Sequence, residues 1–91
     1  MATSSIRILI VDDHPLIREG VSAVLSGQSD MSLVGEATTG REAIESFRRH
    51  LPDVTLMDLR MPDMSGIDAI SVIRSEFPAA RIVSSASGSR L

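Results

Sequence analysis

The chain has 91 residues, 43% apolar and 23% charged, with a net charge of −3, which suits one compact domain of ordinary globular composition. Its nine cationic residues are all Arg, scattered apart from the adjacent Arg48 and Arg49, and its only aromatics are two Phe, so it lacks the basic stripe and stacking rings of a nucleic-acid binder. Cys is absent, which removes disulfides and thiolate metal sites, and no apolar run is long enough for a secretion signal or a membrane span, so the expected location is cytoplasmic.

Residues 1–5 are small and polar and read as a flexible N-terminus. Ile6–Val11 (IRILIV) is a short, nearly continuous apolar run ending at Asp12-Asp13, as expected of a strand buried on both faces in a parallel sheet. Leu16, Ile17, Val21, Val24 and Leu25 then recur at helical spacing, with Pro15 at the first helical position and Gly27 after the last. Met31–Ala37 reads as a weaker strand. Thr39 and Glu42 form a capping-box pattern ahead of a helix with the stripe Ala43, Ile44, Phe47 and Leu51, which Pro52 ends. Residues 54–57 make another apolar run, and it too ends at an acid, Asp58. Beyond Pro62, Ser65 is placed to cap a third helix with the face Ile67, Ile70, Ile73 and Phe77, stopped by Pro78. Residues 80–83 begin a fourth strand, and 84–91 read as a polar tail.

Short apolar runs alternating with amphipathic stretches predict βαβ units, hence an α/β fold with a doubly wound parallel sheet. In such sheets ligands sit outside the carboxyl ends of the strands. In the 2-1-3 strand order, Asp12, Asp13 and Asp58 converge there. Two like charges ~4 Å apart repel by about 4 kcal/mol at an effective dielectric of ~20, so one carboxyl takes a proton or a cation resides among them. Oxygen ligands without His or Cys suit Mg²⁺, Mn²⁺ or Ca²⁺. An Asp beside such an ion is a competent nucleophile toward phosphorus. A single Asp at a strand end is more often a turn or cap residue; three at the ends of two strands are not so readily explained.

The segment Val11-Asp12-Asp13-His14-Pro15-Leu16-Ile17-Arg18-Glu19-Gly20-Val21 resembles the opening of response-regulator receiver domains, in particular the NarL/LuxR type. Gly35-Glu36-Ala37 with Gly40-Arg41-Glu42-Ala43-Ile44 resembles their second strand and helix. Asp58-Leu59-Arg60-Met61-Pro62-Asp63-Met64-Ser65-Gly66 resembles the phosphoacceptor segment. The likeness covers residues 6–83 and implies a flavodoxin-like receiver fold. It implies Asp58 as the residue phosphorylated by a sensor histidine kinase, with Mg²⁺ as cofactor. Asp13, Asp58 and the main-chain carbonyl of Arg60 match the metal ligands, with Asp12 acting through water. Such receivers promote their own phosphoryl transfer and are not turnover enzymes. A DNA-binding regulator domain usually follows in the NarL/LuxR type, so no nucleic acid or membrane partner is expected for this chain alone.

The pattern breaks near the end. The family's fourth strand closes on a Ser or Thr that bonds the phosphoryl group; an ungapped count gives Ala86, and one deletion gives Ser85, which is preferred. The family's phosphoryl-pairing Lys has no counterpart, since the chain contains no Lys, and a fifth strand with its last helices is not found. The receiver is therefore expected to be incomplete at the C-terminus, with apolar surface open over the first and third strands and self-association, as a dimer or by exchange of elements, as the consequence. A switch-deficient remnant acting as a dimerisation or decoy module is the second reading, and a small-substrate phosphatase the third. Among other residues, His14 reads as a surface residue at a helix start, His50 as a helix-end residue, and Met57, Met61 and Met64 as packing. Arg48-Arg49 reads as a solvated face, and Arg60 as a surface ion-pair residue.

Overall fold

The computed structural model describes residues 5–61 and 64–85. Its elements are β1 (Ile6–Val11), α1 (Pro15–Ser26), β2 (Met31–Ala37), α2 (Gly40–His50), β3 (Val54–Asp58), α3 (Gly66–Glu76) and β4 (Ile82–Ser85). The four strands form one parallel sheet in the order β2-β1-β3-β4. Order and alternation match the expected flavodoxin-like receiver fold. Among the described residues no helix is long and apolar enough to cross a membrane.

Leu9, Val11, Ala37, Ala43, Ile44, Phe47, Met57, Ala69 and Ile73 make the main core, between the sheet and helices α2 and α3. Phe47 and Phe77 join those helices with ring centroids 5.0 Å apart at a 45° tilt, within the separation at which aromatic pairs attract. Helix α1 packs along β2 on the other face. With Ile8 and Ile10 also buried, β1 is covered on both sides from Ile8 to Val11, as that apolar stretch demands. The bare surface expected over the first and third strands lies instead over β3 and β4. Leu56 is half-buried and Val83 is 57% exposed. The reason is position: α1 reaches the two strands nearest it and stops short of the far edge.

Several local expectations change for similar reasons. On α1 only Leu25 is buried, while Leu16, Ile17 and Val24 are exposed. The buried face of α3 is Gly66, Ala69 and Ile73, not one containing Ile67, which is 64% exposed; close seating of Gly66 on the sheet turns the i, i+3, i+7 row inward. Thr39 caps α2 by accepting the Glu42 N–H at 3.0 Å. The Glu42 carboxylate, however, reaches one residue further back than a capping box requires, to the N–H and hydroxyl of Thr38, both at 2.8 Å. Leu51 leaves the stripe altogether: it ends α2 in the left-handed region (φ 46°) and is exposed. Arg48 is no simple solvated residue, since its guanidinium grips the Glu76 carboxylate of α3.

The last strand also differs. Ser84 and Ser85, assigned to a tail from sequence, pair in register with Met57 and Asp58 of β3. Serine carries little strand preference of its own, so the ladder with β3 supplies what the residues do not. Ser5, placed in the flexible N-terminus, meets Ser32 of β2 with hydroxyl oxygens 3.2 Å apart. Residues 1–4, 62–63 and 86–91, and with them the Ala86 alternative, lie outside the described residues.

Candidate functional site

Val11 and Met57 are register partners on neighbouring parallel strands, so the residues that follow them leave the sheet at one level and on one side. Those residues are Asp12 and Asp58. Asp13 and His14 come next in the turn into α1. One ligand atom from each of Asp12, Asp13, His14 and Asp58 lies within 4.8 Å of the others. The sequence-predicted convergence of three carboxylates is thus observed. Arg60 arrives beside them and its main-chain N–H donates to Asp58 Oδ1 at 3.0 Å. Ser85 stands on the adjoining strand as the register partner of Asp58.

His14 was read from sequence as a surface residue, and its side chain is indeed 64% exposed, yet it belongs to the cluster. Its main-chain N–H donates to Asp12 Oδ1 at 2.9 Å, and its ring Nδ1 lies 2.7 Å from the same oxygen. The same nitrogen is 3.1 Å from Asp13 Oδ1 and 3.8 Å from Asp58 Oδ2. The hydrogen bond to Asp12 and the charge of Asp13 hold the imidazole above its ordinary pKa. Position N-cap of α1 explains its freedom to turn this way. His14 makes no side-chain cap bond, and Pro15 after it has no N–H to be capped. The Asp-Asp-His-Pro run carried that signal, but sequence alone could not say which way the ring turns.

Asp12 is nearly buried, at 9% exposure, and Arg18 fastens its main chain. The Arg18 Nη1 donates to the Asp12 carbonyl at 2.9 Å while Nε donates to Glu36 of β2 at 3.2 Å. Asp13 Oδ1 is shielded from water and makes no hydrogen bond among the described residues, its nearest charged neighbour being His14 Nδ1 at 3.1 Å. A carboxylate oxygen in that state is costly, and a divalent cation among oxygen ligands is the direct remedy. The donor set therefore fits Mg²⁺.

Two glycines quoted in the sequence motifs, but given no packing role there, stand where a side chain would not fit. A Cβ on Gly66 would lie 2.5 Å from the Asp58 carbonyl oxygen and 2.7 Å from Leu59 Cα, and one on Gly40 would lie 2.6 Å from the Met64 carbonyl oxygen. The Gly66 N–H also donates to the Leu59 carbonyl at 3.2 Å. Bare backbone at Gly66 lets α3 press directly on the segment after Asp58, and at Gly40 it lets the start of α2 seat against Met64. The signal for it was the glycine itself, whose neighbour is invisible from sequence.

A parallel α/β sheet with clustered carboxylates at the carboxyl ends of its central strands defines a receiver-type site. Comparison with known proteins agrees: the response regulator receiver domain model matches residues 8–90. The chain belongs to that family. Response regulator protein VraR from Staphylococcus saprophyticus is 44% identical over 78 residues, covering 86% of this chain and 37% of that protein, and VraR from Staphylococcus aureus is 43% identical over 79 residues, covering 87% and 38%. A solved LuxR-family two-component response regulator from Aurantimonas sp. superposes with a TM-score of 0.83 at 40% identity, covering 89% of this chain and 58% of that one. The receiver domain of the putative response regulator NarL from Mycobacterium tuberculosis gives 0.83 at 42% identity, covering 89% and 65%. The chain is a response-regulator receiver domain of a two-component system. Its family is phosphorylated by sensor kinases, binds Mg²⁺ at an acidic pocket and is generally not made of turnover enzymes.

Proposed function

We propose that this receiver takes a phosphoryl group on Asp58 from a sensor histidine kinase in the cytoplasm, and that in a longer protein it governs a DNA-binding domain. The observation that carries this reading is the meeting of Asp12, Asp13 and Asp58, with Asp13 Oδ1 shielded from water and without a hydrogen bond among the described residues. Asp13, Asp58 and the Arg60 carbonyl would hold Mg²⁺, with Asp12 acting through water. A bound Mg²⁺ supplies the positive charge that offsets repulsion between the attacking carboxylate and the phosphoryl oxygens. The Arg60 N–H ties down Asp58 Oδ1, which leaves Oδ2 as the nucleophile. A bond forms from Oδ2 to phosphorus as the bond to the donor nitrogen breaks, and that nitrogen recovers a proton. Ser85, in register with Asp58, is the residue assigned to sense the new phosphoryl oxygens.

Incubation with Mg²⁺ and acetyl phosphate tests this. We expect a mass gain of one phosphoryl group, absent in Asp58→Asn. Mg²⁺ binding without any phosphorylation, or without retention of a fluoroberyllate mimic, would reject the phosphoacceptor role and leave the second reading, a switch-deficient binding module. We also propose that the chain self-associates. A groove of about 200 Å³ lined by Ile10, Ile17, Val21, Leu56 and Val83 opens beside β4, an apolar surface at a sheet edge of the kind that draws a second chain.

A further inference from the structure

We infer that the outer edge of β4 docks a second copy of this chain, and that the partner brings its Arg81 to the phosphoacceptor site. The inference rests on the phosphoacceptor site and the self-association proposed above, and adds the surface, the symmetry and a residue supplied from outside.

Among the described residues β4 pairs with β3 on one side only. The Thr55 N–H donates to the Arg81 carbonyl at 3.0 Å, so alternation along the strand turns the N–H and C=O groups of Ile82 and Ser84 to the outer edge. Two such edges satisfy each other around a two-fold axis, which runs them antiparallel and closes the assembly at a dimer. Matching the outward groups sets Ile82 against the partner's Ser84, Val83 against the partner's Val83 and Arg81 against the partner's Ser85. Packing favours that register. Ile10, Leu56 and Val83 are register partners across three strands and line one groove, so they share a face. Val83, 57% exposed, is then covered at the axis, and the apolar row runs on into the same row of the second copy.

Charge supplies the function. Arg81 is exposed and makes no ion pair among the described residues. In its own chain it lies four residues before Ser85, about 13 Å from that end of the strand, too far to serve its own Asp58. Reversed direction in the partner removes that distance. The partner's Arg81 stands beside Ser85, the register partner of Asp58, on the same face as Asp58 and two strand spacings, about 9–10 Å, from it. An extended Arg side chain and a phosphorylated Asp together bridge that gap. The site gathers three carboxylates and gains further negative charge on phosphorylation. A guanidinium, whose fork matches phosphoryl oxygens, is its complement.

The test uses the 91-residue chain, which has no Cys, so single-Cys variants report the register without background. Val83→Cys is expected to give a disulfide-linked dimer on mild oxidation, because directly opposed positions of this kind hold Cα atoms about 4.5 Å apart. Ser84→Cys, opposite the partner's Ile82, is expected to link far more slowly. With Mg²⁺ and acetyl phosphate, Arg81→Gln is expected to gain its phosphoryl group about tenfold more slowly or worse, the worth of one charge-assisted contact. Mixing shows which copy supplies the cation. Arg81→Gln chains keep Asp58 and Asp58→Asn chains keep Arg81, so their mixed dimer holds one complete site. Phosphorylation of the Arg81→Gln chain is expected to recover when Asp58→Asn is added, and not when the Asp58→Asn/Arg81→Gln double variant is added. No recovery, an Arg81→Gln rate equal to the native one, preferential linkage through Ser84→Cys, or growth beyond a dimer each overturns the inference. If the native chain is still phosphorylated on Asp58 in those cases, only the inference fails. If the native chain takes no phosphoryl group, the phosphoacceptor reading falls with it.

Discussion

Thr55 sits in the middle of β3 with no exposed surface, and its hydroxyl oxygen has no hydrogen-bond partner among the described residues. Its neighbours across the ladder are Leu9 and Ile82, so the hydroxyl is surrounded by apolar groups. An unsatisfied buried polar atom costs about 1–3 kcal/mol. Thr55→Val keeps the shape and removes that cost, and chemical denaturation is expected to show a gain of about 1 kcal/mol. A loss of stability would mean that the hydroxyl has a partner after all. Gly66 gives the opposite case. Any side chain there meets main-chain atoms of Asp58 and Leu59, which cannot swing aside as a flexible side chain can. Gly66→Ala is expected to destabilise by about 1–3 kcal/mol and to weaken retention of a fluoroberyllate mimic at Asp58. Denaturation and mimic binding, measured together, check both effects.

At the scale of elements, the start of α2 is stabilised by charge as well as by its cap. The N–H and hydroxyl of Thr38 hold the Glu42 carboxyl below its ordinary pKa. A depressed carboxyl contributes stability above its unfolded pKa and loses it as pH falls through the lower, folded value. We therefore expect α2 to fray from its first turn on acidification, with the Thr38 amide resonance following the Glu42 titration by NMR. Glu42→Gln is expected to remove that coupling. The elements themselves were largely legible in the sequence. Pro15, Thr39 and Ser65 mark helix starts that the structure confirms within a residue, because caps are local chemistry. Faces were less legible: Ile67 and Val24 fit a helical stripe but face solvent, since burial depends on which neighbour arrives. Ser84 and Ser85 read as tail by composition, and only the family resemblance offered Ser85 as a strand end, because nothing in two serines announces a ladder that β3 provides.

For the whole molecule, the three acids could be foreseen because strand order and strand polarity alone bring them together. The fourth member of the cluster, His14, needed a side-chain direction that only the folded chain supplies. The uncovered strip over β3 and β4 has a consequence in solution. Val83 is 57% exposed and Leu56 half-buried, and both strands lie toward one edge of the sheet. Light scattering across a concentration series is expected to show growth from monomer to dimer, and Val83→Ser to suppress it. A dispersed monomer at every concentration would reject association.

Arg18 carries one more implication. A single guanidinium has five N–H donors in a rigid fork, and here it spans the Asp12 carbonyl at the tip of β1 and the Glu36 carboxylate on β2 while its own backbone lies in α1. Three segments hang from that one side chain. Among the described residues it holds Asp12 by the main-chain carbonyl, so it ties the tip of β1 to its neighbours while leaving that carboxylate to the site.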